Sequence, residues 1–229
     1  MLAVLLDIEG TTTPISFVHD VLFPFSRNGL NTFLETQRGR PDVIADLTLL
    51  QEEHKQDASG GLQPPALIEP YVNWLIDQDR KSPALKSLQG KIWQHGYEDG
   101  SLQAPMFPDV LKAMERWQKA SVSINIFSSG SVLAQKLLFA HTNFGDLSGF
   151  IDGYFDTKVG KKTEPLSYQK IAGKLGFHPN EIYFVSDVVL ELEAASVAGM
   201  KTRLCVRPGN PKQRAAPDHV VIRSFDELD

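Results

Sequence analysis

Two carboxylates two positions apart, Asp7 and Glu9, stand where the apolar run Ala3 to Ile8 stops, in the stretch LLDIEGTTTP at 5–14. Other polar clusters sit at or just beyond short apolar runs: Ser128-Ser129-Gly130-Ser131 after Val122 to Phe127, and Ser186-Asp187 with Glu191 after Ile182 to Val185. A Lys pair, Lys161-Lys162, lies in the loop before the helix that leads to the second of these. Together these residue types suit phosphate transfer. Asp7 and Asp187 are the oxygen ligands that a small hard cation such as Mg²⁺ requires. A cation and a Lys neutralise phosphate charge and let one carboxylate attack phosphorus. Glu9 can protonate the leaving oxygen and later activate water, and Ser128 or Ser129 can donate to phosphate oxygens at a helix N-terminus. Taken singly, each has an ordinary reading: an Asp after a strand forms a turn or caps a helix, a Ser run caps a helix, and a Lys pair is a solvated loop. Their order and shared placement at strand ends carry the chemistry.

Residues at such ends need strands and helices behind them. Strand-length apolar runs occur at Ala3 to Ile8, Val122 to Phe127, Ile182 to Val185, Thr202 to Val206 and His219 to Ile222. Helix-like segments lie at Asp109 to Ala120, Ser131 to His141, Leu166 to Leu175 and Leu190 to Gly199, the last three ending near His or Gly. Alternating strands and helices predict an α/β fold with a parallel sheet covered on both faces, whose ligands gather at the carboxyl ends of the strands. The gap between the first two strands is far longer than the single helix a crossover needs. It predicts a core of residues 1–14 and 104–229 interrupted by a helical insert at 15–103. Apolar positions in that insert recur with helical spacing, at Val43, Ile44, Leu47 and Leu50 and again at Leu67, Ile68, Val72, Leu75 and Ile76. Ser59-Gly60-Gly61 and Pro64-Pro65 divide it into halves.

Composition narrows the partners. With 23 Lys plus Arg against 28 Asp plus Glu and a net charge of −5, and no basic run longer than a pair, the chain is not expected to bind nucleic acid. No apolar stretch approaches the roughly 20 residues that span a bilayer, and no basic n-region precedes the first apolar run, so the expected location is the cytoplasm. Cys205 sits in an apolar run and reads as a buried strand residue. His54, His141, His178 and His219 read as surface or helix-end residues.

The motif D-x-[DE]-x-T at Asp7, Glu9 and Thr11, followed in order by Ser128, Lys162 and Asp187, resembles the haloacid dehalogenase superfamily of aspartyl phosphatases across the whole chain. The resemblance implies a Rossmann-like core of that type with an inserted helical cap. It implies Asp7 as nucleophile, Glu9 as general acid and base and as a metal ligand through its backbone carbonyl, and Thr11 as the residue tying the loop. Ser128 would hold the transferring phosphoryl group, Lys162 would steady it, and Asp187 would complete a site for one Mg²⁺ per subunit, with Glu191 orienting the ligands. Two departures stand out: Glu9 replaces the commoner Asp, and Ser186-Asp187 stands where many members carry Gly-Asp or Asp-Asp.

Longer stretches, DIEGTTTPISFVHDVLFPF (7–25), IWQHGYEDGSLQAPMFPDV (92–110), IFSSGSVLAQKLLFAHT (126–142), GYFDTKVGKKTEPLSYQKIA (153–172) and FVSDVVLELEAASVAGM (184–200), look like those of the enolase-phosphatases of methionine salvage. That likeness implies enolisation and then dephosphorylation of 2,3-diketo-5-methylthiopentyl-1-phosphate to an acireductone. It implies a cytoplasmic monomer acting on a small phosphate ester, with neither nucleic acid nor membrane as partner. The cap would exclude water and contact the methylthio tail. A dehalogenase needs no proton donor such as Glu9. A sugar-phosphate phosphatase shares all four motifs and is separated only by substrate tests, and a noncatalytic module usually loses the nucleophile or the acid that this chain keeps.

Overall fold

The run Ala3-Val4-Leu5-Leu6 has no polar alternation, so a strand made of it must be covered on both faces. It forms β1 (Ala3–Leu6), fully buried along its length. The computed structural model describes residues 1–78, 80, 82–212 and 218–228. Among these, β1 pairs in parallel with β2 (Ser123–Phe127) on one side and β4 (Ile182–Ser186) on the other. β3 (Gly153–Phe155), β5 (Lys201–Cys205) and β6 (Val220–Ile222) extend the sheet to the order β3-β2-β1-β4-β5-β6. The chain builds outward from β1 through β2 to β3, then returns to the opposite side of β1. That reversal opens a crevice between the carboxyl ends of β1 and β4.

The sheet was expected without β3. Its three residues are a half-buried edge strand that begins at Gly153, too short for a periodic signal. His219 also departs from expectation. It is buried just before β6, and its Nδ1 lies 2.7 Å from Thr202 Oγ1.

Four helices α1 (Phe23–Gln37), α2 (Pro41–Ser59), α3 (Ile68–Asp77) and α4 (Pro83–Glu98) lie between β1 and α5 (Val110–Lys119). A π-helical turn over Phe17–Leu22 leads into α1. After β2 come α6 (Val132–Ala140), α7 (Pro165–Leu175) and α8 (Val189–Val197). The chain divides into two compact units, Met1–His19 with Leu102–Asp229, and Asp20–Ser101. Among the described residues no helix is long and apolar enough to cross a membrane.

In the α/β unit, Tyr168, Ile171 and Ala172 of α7 and Leu192 and Ala195 of α8 pack on one sheet face with Leu5, Phe127 and Phe184. The Tyr168 ring meets Phe127 and Phe184 edge-on, with centroids 5.6 and 4.9 Å away. In the helical unit, Leu30 and Phe33 of α1, Leu47 and Leu50 of α2, Val72 and Leu75 of α3 and Leu85 and Leu88 of α4 form a second core. Pro41 and Pro83 start α2 and α4, where a missing N–H costs nothing. Two positions read as part of the apolar faces lie outside: Ile44 and Leu67 are exposed, and Leu67 occupies the extended residue just before α3.

Candidate active site

At the end of β1 the chain turns back on itself. Backbone N–H groups of Thr11, Thr12 and Thr13 all donate to Ile8 O, and Gly10 N donates to Thr13 O at 2.8 Å. Gly10 has φ +69°, and a Cβ there would collide with Asp187 Oδ2, so only glycine fits the loop. The hydroxyl that ties this loop is that of Thr12, which lies 3.2 Å from Ile8 O. Thr11, expected in that role, buries its hydroxyl with no hydrogen-bond partner among the described residues.

The loop presents Asp7 in a buried cluster. Lys162 Nζ donates to Asp7 Oδ1 at 2.6 Å and lies 2.7 Å from Glu191 Oε2. Ile8 N donates to the same Asp7 oxygen at 2.8 Å. Ser186 Oγ is 2.9 Å from Glu191 Oε2 and 3.2 Å from Asp7 Oδ2. A hydroxyl carries one proton, so Ser186 serves one carboxylate at a time and favours the nearer Glu191. Tyr168 OH donates to Lys162 O at 2.6 Å, fixing the backbone from which the ammonium projects.

The electrostatics are unbalanced. Burial alone would push the Lys162 ammonium down, but the Asp7 and Glu191 carboxylates overrule it and hold its pKa above the usual lysine value. Burial, then Asp7, raises Glu9, against the opposing pull of Lys162 and His19. Burial pushes the Asp187 carboxyl up to about 7, helped by Asp7 and Glu191. Glu191 is raised by burial and Asp7. Four carboxylates thus crowd one ammonium, and further positive charge is what the cluster lacks.

A divalent cation would supply it. Among the described residues no three His, Cys, Asp or Glu side chains form a ready metal cage. Asp7 and Asp187 at adjacent strand ends, with backbone oxygen from the loop and water, make the sparse, hard, oxygen-only donor set that Mg²⁺ accepts. The residues present fit that ion.

On the other side of β1, Ser128 is buried at the end of β2, and its Oγ accepts from Gly130 N at 3.1 Å. Ser131 caps α6 by accepting from Ala134 N. Gln135 holds the loop through bonds of 2.8 Å to both Gly130 O and Phe155 O. Ser129 is exposed, and among the described residues no hydrogen bond joins it to the cluster. The structure therefore brings Asp7, Glu9, Lys162, Asp187 and Glu191 together, places Ser128 at the neighbouring strand end, and leaves Ser129 at the rim.

Sequence reasoning missed several supports. Ser186 stands in a polar cluster at a strand end but is given no role by the sequence, and Tyr168 and Gln135 carry no local signal. Arg207 and Asn210 did leave one, since Arg207-Pro208-Gly209-Asn210 has the Pro-Gly centre of a type II turn just beyond β5. Asn210 N donates to Arg207 O at 3.2 Å, with Gly209 at φ +86°. Arg207 Nε donates to Thr11 O at 3.1 Å and Nη1 to Asp109 Oδ1 at 2.9 Å.

Residues 1–199 match the model of the haloacid dehalogenase-like hydrolases. The Enolase-phosphatase E1 of Synechococcus elongatus is 52% identical over 229 residues, spanning 98% of this chain and 96% of that protein. The protein of the same name from Sorangium cellulosum is 45% identical, spanning 99% and 96%. The crystal structure of the UTR4 protein of Saccharomyces cerevisiae superposes with a TM-score of 0.81 at 37% identity, covering 99% of each chain.

Proposed function

The chain belongs to the haloacid dehalogenase-like hydrolases and, within them, to the enolase-phosphatase family, and from that premise we propose that it turns 2,3-diketo-5-methylthiopentyl-1-phosphate into the acireductone 1,2-dihydroxy-3-keto-5-methylthiopentene plus phosphate, in methionine salvage. The observation that supports this most is the Asp7–Lys162–Glu191 cluster at the crevice between β1 and β4, with Glu9 two residues along.

Asp7 is the nucleophile. Its carboxylate attacks phosphorus, the bond from phosphorus to the substrate oxygen breaks, and Glu9 gives its proton to the departing oxygen. The raised pKa of Glu9 suits it to carry that proton. Water, deprotonated by the Glu9 carboxylate, then attacks the aspartyl phosphate, which frees phosphate and restores both Asp7 and the Glu9 proton. Lys162 steadies the phosphoryl oxygens, and Ser128 and Ser129 donate to them. Asp7, Asp187 and the Glu9 carbonyl would hold one Mg²⁺, which supplies positive charge against the phosphate and the enolate. In the earlier enolisation the ionised Glu9 takes the carbon-bound proton next to the phosphate ester and so becomes the acid that the phosphoryl transfer uses; the enolate oxygen takes a proton from water, and the proton that Glu9 later gains from the attacking water passes to solvent before the next turnover. Residues 15–103 act as the cap that selects the methylthio end. The same reading makes the protein a cytoplasmic monomer with a small-molecule substrate and no nucleic-acid or membrane partner.

The test follows phosphate release and the ultraviolet absorbance of enol and product with Mg²⁺, for the natural chain and for Asp7→Asn. We expect the variant to keep the enol signal and to lose phosphate release by about 10⁴-fold or more, as removal of a covalent nucleophile does. Hydrolysis of another phosphoester with no signal from the diketo phosphate would overturn the substrate assignment.

A further inference from the structure

Asn210 presents a problem that the phosphatase chemistry leaves open. Its Nδ2 donates to Gly10 O at 2.9 Å, which settles the amide orientation, because the reverse would set two acceptors face to face. Its Oδ1 is therefore an acceptor, buried and without a hydrogen-bond partner among the described residues. A buried unpaired oxygen is costly, and such an atom asks what it is meant to meet. The surroundings answer in part. Asn210 Oδ1 lies 3.0 Å from the point where a Gly10 Cβ would stand, and Asp187 Oδ2 approaches the same point more closely still. Two acceptors thus converge beside the one position in the loop that lacks a side chain. With Asp187 ionised, as a cation ligand must be, neither can satisfy the other.

The Asn210 side chain is also set firmly. The backbone N–H of Asn210 closes the type II turn after β5, and Arg207 at the start of that turn is buried, with its guanidinium 4.6 Å from the Phe107 ring and 4.7 Å from the Phe225 ring. Arg207 binds Thr11 O while Asn210 binds Gly10 O, so one turn grips two successive carbonyls of the nucleophile loop. A preorganised neutral oxygen beside a carboxylate is what a hydrated cation uses outside its direct ligands.

We propose that Asn210 Oδ1 is a further oxygen of the divalent-cation site, accepting a hydrogen bond from water carried by the cation at Asp187. Asn210 then joins cation binding to the position of the loop that holds Asp7. The inference rests on the reading that Asp7, Glu9 and Asp187 hold Mg²⁺. Asn210 is a positioning residue, since it touches neither substrate nor the reacting atoms.

Calorimetric titration of the full chain with MgCl₂ tests it without any turnover, using the natural chain, Asn210→Leu, Asn210→Asp and Asp187→Asn. Both Asn210 variants lose the amide donor to Gly10 O, but only Asn210→Asp keeps an acceptor. We expect Asn210→Leu to weaken Mg²⁺ binding by about 10- to 100-fold and Asn210→Asp to bind at least as tightly as the natural chain. Equal loss in both variants would overturn the proposal in favour of the loop bond alone, and unchanged binding in Asn210→Leu would overturn it outright. If Asn210→Leu does not fold, weakened binding in Asn210→Asp is sufficient to overturn it. Failure of the natural chain to bind Mg²⁺ would remove the metal reading itself. Loss of binding in Asp187→Asn, with no change in the Asn210 variants, would spare that reading while removing this inference.

Discussion

In the helical unit buried charge is closed off locally: Lys91 meets Asp46, Ser82 meets Glu53, and Arg80 shares Asp57 with the Tyr71 hydroxyl, which donates to it at 2.8 Å. At the strand ends of the α/β unit, by contrast, Asp7 and Glu191 share Lys162, while Asp187 and Glu9 press on them with no ammonium of their own. The first arrangement is complete as it stands. The second is left short of positive charge, the imbalance that the proposed cation would relieve. The carboxyls raised above their ordinary range, Glu9, Asp187 and Glu191, therefore gather at one end of one sheet, although both units bury charge.

The comparison is broken most directly at its single ammonium. Lys162→Met leaves Asp7 and Glu191 buried and unpaired, and should cost about 3–5 kcal/mol in urea unfolding without Mg²⁺; a loss below about 1 kcal/mol would mean that the cluster is not strained for charge. Added Mg²⁺ should act in the opposite direction on the natural chain, raising stability by about 2.7 kcal/mol at a hundred times its Kd. That gain should vanish in Asp187→Asn, as thermal melts with and without the ion would show. Tyr71→Phe sharpens the contrast from the other unit. It removes a hydrogen bond to the buried Asp57 and should cost about 1.5 kcal/mol while leaving turnover of the diketo phosphate unchanged; a fall in turnover would end the division of labour.

The smallest effect concerns Cys205. Burial pushes its thiol up to about 12, with Arg207 opposing more weakly, so the neutral thiol dominates at pH 8 and the reactive thiolate is rare. Iodoacetamide should leave the folded chain unmodified at that pH and label it once denatured, read by intact mass. Labelling of the folded chain would show that β5 opens readily.

The parallel sheet was legible because β1, β2 and β4 are short, mostly apolar runs bounded by polar residues, and burial on both faces leaves no alternation to confuse them. The long gap after β1 disclosed the helical insert. Its inner faces were only partly legible, since Leu67 has helical spacing but lies one residue outside α3. β3 was hidden because an edge strand of three residues has too few positions to show a period. Of the site, Asp7, Glu9, Ser128, Lys162 and Asp187 were readable as polar residues at or near strand ends, with Ser129 read alongside them and found exposed.

Sequence alone determined the chemical types and the strands that carry them, because apolar runs must be buried and the carboxyl ends of parallel strands must converge. Only tertiary structure decided that Ser186 Oγ stands between Asp7 and Glu191, that Tyr168 fixes Lys162, and that the turn Arg207–Asn210 grips Gly10 and Thr11. Those contacts join residues as far apart as Gly10 and Asn210. No local pattern records such a pairing, because it depends on where the strand order reverses and on which side chains then meet across the crevice.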